Sequence, residues 1–120
     1  MKSNTYNLQN RLVKFSAMII SNIGLLKQNF ATEHLSKQLI RSVTSSALNY
    51  GEAQGAESKK DFIHKMRICL KELRESQTNL EILKEANLVK DLDAFETITK
   101  ECSELVAIFT SSIKTTQRKM

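Results

Sequence analysis

The chain has 120 residues, 41% hydrophobic, 26% charged and 6% aromatic, with three glycines and neither proline nor tryptophan. That length fits a single domain over 1–120, burying about two thirds of the surface its unfolded chain exposes. Hydrophobic content near the globular average argues against disorder. Three glycines are too few for an all-β sandwich or barrel, which needs a turn roughly every 8–12 residues. Eighteen Lys and Arg against thirteen Asp and Glu give a net charge of +5 and a pI near 9.3. This balance admits RNA, DNA or an acidic protein as partner without requiring any of them. The surplus is uneven, since residues 1–30 carry Lys2, Arg11, Lys14 and Lys27 and no acid.

Four helices are predicted from an apolar period of about 3.5–3.6 residues. The first spans about 7–27, with Leu8, Leu12, Phe15, Ile19 and Ile23 or Leu26 on one face. The second spans about 32–53 and spaces Leu35, Leu39, Val43 and Ala47 four apart. The third, about 58–87, alternates steps of four and three through Phe62, Met66, Cys69, Leu73, Ser76, Leu80 and Leu83. The fourth, about 91–115, repeats that alternation in Phe95, Ile98, Cys102, Leu105 and Phe109. Thr32 is a candidate N-cap, and residues 58–61 resemble a capping box opened by Ser58. Asn87 suits the end of helix three, and Asp91 or Asp93 the start of helix four. Connections this short make consecutive helices antiparallel neighbours, so the expected fold is all-α, an antiparallel up-down-up-down four-helix bundle. Apolar residues also fall outside the inner stripe: Val13, Ile20, Ile40, Ile63, Leu70, Val106 and Ile113. They mark either a surface for further copies of the chain or a broad core face.

The most apolar stretch, 15–26, is shorter than the roughly 20 residues of a membrane-spanning helix. It is followed by no small-x-small cleavage site, so a cytoplasmic protein without membrane contact is expected. Cys69 and Cys102 lack zinc-ligand spacing and sit at apolar helical positions. They read as buried small hydrophobes, with a disulfide or reactive thiol as the other reading.

Lys60, His64, Arg67, Lys71 and Arg74 share one face of helix three, within about 80° on a helical wheel. Such a row can follow a phosphate backbone, and with Arg11 and Lys14 of the basic first helix it is the candidate nucleic-acid surface. Asp61, Glu72 and Glu75 flank it, and Asp61–Lys65 and Lys71–Glu75 are spaced to pair along the helix. A solvated face and a surface for an acidic protein are therefore the competing readings. No phosphate-cradling glycine loop, nucleophile elbow or Glu-x-x-His metal pair is present, so no catalytic residue, metal or cofactor is expected.

The run Gln38-Leu39-Ile40-Arg41-Ser42-Val43-Thr44-Ser45, followed by Asn49-Tyr50-Gly51-Glu52-Ala53, carries a resemblance. It continues through Ala56-Glu57-Ser58-Lys59-Lys60-Asp61-Phe62-Ile63-His64-Lys65 and Leu70-Lys71-Glu72-Leu73-Arg74-Glu75. Together these are similar to the bacterial four-helix-bundle family encoded in 23S rRNA intervening sequences, also labelled S23-type ribosomal proteins. The resemblance implies a ring of copies, a pentamer, with no established enzymatic activity. It also implies kinship with the accessory variability determinant proteins of diversity-generating retroelements, basic rings that engage reverse transcriptase and nucleic acid. On the matching positions, Arg41, Ser42, Asn49 and Glu52 would be the signature of helix two, and Asp61, Phe62, Lys65, Lys71 and Glu72 that of helix three. The expected function is a non-enzymatic ring that binds RNA or DNA through a basic surface. The alternative is an oligomeric adaptor that binds a protein, such as a reverse transcriptase, without nucleic acid.

Overall fold

The computed structural model describes residues 4–119, with side chains described over 8–119; Lys2 lies outside the described residues. Four helices run α1 (Asn4–Ser21), α2 (Phe30–Gln54), α3 (Lys59–Glu85) and α4 (Leu92–Arg118), with one 3-10 turn, Ile23–Leu25, after the first. Each packs on the next, most extensively α2 on α3, and α1 closes the bundle against α4. The result is the expected antiparallel up-down-up-down bundle, 47 × 28 × 20 Å, with α1 and α3 at diagonal corners.

The inner stripes of α1, α3 and α4 lie where their periodicity places them, except at the start of α3, where Ile63 is buried and Phe62 only partly so. Leu12, Phe15, Met66, Cys69, Leu73, Leu80, Leu83, Cys102, Leu105 and Phe109 are all essentially inaccessible. Tyr50 stacks edge-on against Phe109 at 5.6 Å, tying α2 to α4 across the core. Helix α2 departs from expectation. Steps of four drift about 40° each around a helix, so Leu35 and Ala47 end up only partly buried. The buried line instead runs through Thr32, Ser36, Leu39, Ser42, Val43, Ser46, Tyr50 and Ala53, which makes this helix the polar wall of the core. Ile63 and Ile113 are also core, at 5% and 7% exposed, which removes both from the outer apolar face. Val13 and Ile20 remain half exposed on α1.

Helix ends show where tertiary contacts override local pattern. The first helix stops at Ser21, six residues short of the expected end. Asn22 closes it twice over, its Nδ2 donating to the Met18 carbonyl at 2.7 Å beside the last ladder bond from its own N–H at 3.1 Å. The chain then extends so that Leu26 pairs antiparallel with Val89. Lys27 N–H donates to Leu88 O at 2.8 Å and Lys90 N–H to Leu25 O at 2.7 Å, stitching the two connections at that end of the bundle. Asn29, not Thr32, caps α2, its Oδ1 accepting from Thr32 N–H at 2.8 Å. Ser58 caps α3 as expected, accepting from Asp61 N–H at 3.0 Å. The return bond from Asp61 falls on Glu57 N–H rather than on Ser58. Asn87 follows α3 with φ 60, the left-handed conformation that ends helices, and Asp91 caps α4.

Replacing Ser58 with Ala removes a cap and is expected to cost about 1 kcal/mol of stability. Leu73→Ala, which opens a cavity in the sealed core, should cost about 2–5 kcal/mol. Urea unfolding of the two variants measures both and their order.

Candidate functional site

The residues that carry chemistry gather on the face made by α2 and α3. Serines at the seam let the two backbones approach. Ser42 Oγ and Ser76 Oγ lie 2.7 Å apart, while each hydroxyl also reaches a carbonyl of its own helix, Leu39 O at 3.1 Å and Glu72 O at 2.9 Å. With one proton each, one hydroxyl donates across the seam and the other donates back. Ser42 is therefore engaged in packing. Further along, Lys65 Nζ meets Glu52 Oε1 at 2.8 Å, a contact that raises the lysine pKa above its ordinary value. Arg41 lies 3.5 Å from Glu75 and 4.0 Å from the buried Glu72, whose Oε1 has no hydrogen-bond partner. Asn49 turns back on its own helix, donating to Ser45 O at 2.8 Å. Phe62 packs at the core edge and Asp61 supports the helix start. Of the nine residues singled out on helices two and three, Arg41, Ser42, Glu52, Lys65 and Glu72 thus form α2–α3 contacts, and Asp61 sits at a helix start.

Lysine pairing differs from the spacing rule. Lys65 prefers Glu52 on the other helix to Asp61 on its own, and Glu75 is taken by Arg41 rather than by Lys71. Among the described residues, Lys60, Arg67, Lys71 and Arg74 enter no ion pair, and all stand exposed on the outer ridge of α3 with His64. At 1.5 Å per residue the ridge runs about 21 Å. It borders an open groove of about 710 Å³ shared with α2, lined by Leu35, Gln38, Arg41, Leu70, Asn79 and Ile82 among others. A smaller hollow of about 340 Å³, lined by Lys60, Ile63, His64, Arg67 and Gln117, lies toward the other end of the ridge.

Arg11 is not part of this surface. Its guanidinium forks onto Glu101, at 3.1 and 2.7 Å, and touches Glu104 at 3.1 Å. The Glu101 hydrogen bond is the main cause of a pKa raised above the ordinary arginine value. Arg11 thus clamps α1 to α4, while Lys14 is exposed on α1, diagonal to the ridge. Pattern reading missed the groove residues Asn79 and Ile82. A signal existed: Glu72, Ser76 and Asn79 recur at i, i+4 and i+7, a polar stripe facing α2.

Cys69 and Cys102 are buried free thiols, and burial pushes each thiol up to about 12. Cys102 Sγ lies 3.6 Å from Leu73 O inside the core. Among the described residues, no helix is long and apolar enough to cross a membrane.

The fold defines the class: a small antiparallel four-helix bundle with a polar α2–α3 seam. The chain belongs to the 23S rRNA-intervening sequence protein family, whose model matches residues 9–111. It is similar to a solved protein of unknown function from the S23 ribosomal protein family of Bacteroides thetaiotaomicron. The two share 31% identity over 89% of this chain and 98% of that one, with a TM-score of 0.79. No curated protein matches the chain.

A thiol-reactive dye should label neither cysteine in the native protein at pH 8, and both should react after denaturation. A double-mutant cycle on Arg11 and Glu101, both partly exposed, should give a coupling of about 0.5–1 kcal/mol that shrinks with added salt.

Proposed function

We propose that the chain is a non-enzymatic, ring-forming cytoplasmic bundle whose assembled copies bind RNA or DNA through the outer ridge of α3. The observation that carries the reading is that Lys60, Arg67, Lys71 and Arg74 stand exposed in register without carboxylate partners among the described residues. Unpaired cations on one line keep their charge available for phosphate oxygens and release counterions on binding. The net charge of +5 per chain adds a steering field.

Self-assembly is supported by the apolar face left on α1 and α2. Val13, Ile20 and Leu48 are 50%, 51% and 70% exposed, and Ile40 and Ala47 lie partly buried between the helices. A contact between unlike faces of successive copies closes into a ring when its rotation permits, and family resemblance favours five copies. Repeating the ridge around a ring turns a weak single contact into a multivalent one. Ser42 and Ser76 bond each other and the two thiols are sealed in the core, which supports a non-enzymatic role. A protein adaptor is the second reading, favoured by Glu75, Glu81 and Glu85, which break the basic line.

Light scattering should give a mass about five times the 13.7 kDa chain, and Val13→Glu with Ile20→Glu should return the single-chain mass. Short RNA should bind with an affinity that falls steeply with salt. Changing Arg67, Lys71 and Arg74 together to Gln should lower the slope of log K against log salt by about two to three. Binding that ignores salt, or none at low salt, removes the nucleic-acid reading; protein capture that survives nuclease treatment would then favour the adaptor.

A further inference from the structure

Phosphate binding by a ridge of cations needs no cavity, yet this ridge borders one. The α2–α3 groove, about 710 Å³, falls within the roughly 300–1,000 Å³ of small-molecule sites. Its lining divides by chemistry. Arg67, Lys71 and Arg74 supply cations along one side, while Leu35, Leu70 and Ile82 supply apolar wall. Asn79 lies in the same lining and is 7% exposed. Its Nδ2 donates to Leu35 O at 3.1 Å, leaving one further N–H, and its Oδ1 has no hydrogen-bond partner. A buried amide oxygen left without a donor is costly, and it is an acceptor waiting for one.

We propose that this groove holds an unpaired nucleotide, with the base against the apolar wall, its edge on the Asn79 amide and its phosphate on Arg67, Lys71 and Arg74. The proposal rests on the reading of α3 as a nucleic-acid surface and adds to it the form bound, a single strand. Every nucleobase edge sets donors beside acceptors, the complement of an amide that offers one N–H and one carbonyl oxygen. In a duplex those edges are paired or lie in the grooves, whereas single strands splay bases into protein pockets. Asn79 Oδ1 is shielded in the unliganded chain, so a side chain must turn aside first. Gln38 and Arg41 line the groove, and both are exposed. Arg41 is held only by contacts of 3.5 and 4.0 Å to Glu75 and Glu72, for which a phosphate competes.

Fluorescence anisotropy of the whole protein, with a short single-stranded RNA, an abasic strand of equal length and the matching duplex, tests this. The single strand should bind about tenfold tighter than either of the other two. Asn79→Leu and, separately, the more conservative Ile82→Ala at an exposed wall position should bring the single strand down to the abasic level and leave abasic binding unchanged. Circular dichroism checks that each variant is folded. Equal, salt-sensitive affinity for the single strand and the abasic strand, or for the single strand and the duplex, overturns the proposal while leaving the α3 ridge as a phosphate surface. No binding of any probe at low salt overturns both.

Discussion

The hydroxyl pair Ser42–Ser76, 2.7 Å apart at the centre of the α2–α3 seam, is the contact on which the rest of the surface depends. Small side chains there let the most extensive helix pair of the bundle close up, and polar ones set its register, since a hydroxyl without a partner in a buried seam is penalised. Once the register is fixed, the long side chains above it find their partners: Arg41 near Glu72 and Glu75, Lys65 on Glu52. The acids of α3 that face α2 are used inward. Outward on α3 stand the row of cations and, beyond it, Glu81 and Glu85.

Ion pairs between helices sort the charge elsewhere in the bundle too. Arg11, which by sequence belongs with the basic residues, is neutralised by Glu101 and Glu104 on α4. Unpaired cations line the α3 ridge, while Val13, Ile20, Phe30 and Leu48 expose apolar surface on α1 and α2. Because α1 and α3 stand at diagonal corners, the half-exposed Val13 and Ile20 lie on a different helix from the α3 ridge and away from it.

How much of this was legible in the sequence depended on the range of the interaction. The alternating steps of α3 and α4 placed Met66, Cys69, Leu73, Cys102, Leu105 and Phe109 in the core without ambiguity, because burial on those faces is set by helical period alone. On α2 the eye follows Leu35, Leu39, Val43 and Ala47, but the buried line passes through serines, whose role appears only when a second helix is beside them. The end of α1 was hidden for a similar reason: Leu26 and Val89 are far apart in the chain, and their pairing draws α1 to a close at Ser21. Ion pairs were the least legible. Spacing joined Lys65 to Asp61 and Lys71 to Glu75, whereas long side chains at a helix seam choose among partners on both helices. The outward ridge itself was fully readable, since exposure follows from lying opposite the apolar stripe; the groove beside it was not, because a third of its lining, Leu35, Gln38, Arg41 and Ser42, comes from α2.

A hydrophobic seam would pack α2 on α3 at least as well, so the polar one asks for a reason beyond stability. Leu and Val at the positions of Ser42 and Ser76 would bury more apolar area, but apolar surfaces slide with little penalty, and a slip of one turn moves a helix by about 5.4 Å. Such a slip would carry Arg41 past Glu72 and Glu75 and change which α3 cations are left unpaired. Buried polar groups that bond only in one register raise the cost of that slip, as polar residues do in coiled coils. The seam retains unsatisfied atoms, Glu72 Oε1 and Asn79 Oδ1, on the same stripe as Ser76. Register alone does not account for them, since two bonded hydroxyls already supply it. The nucleotide proposed for the groove would give Asn79 Oδ1 the donor that the fold does not supply.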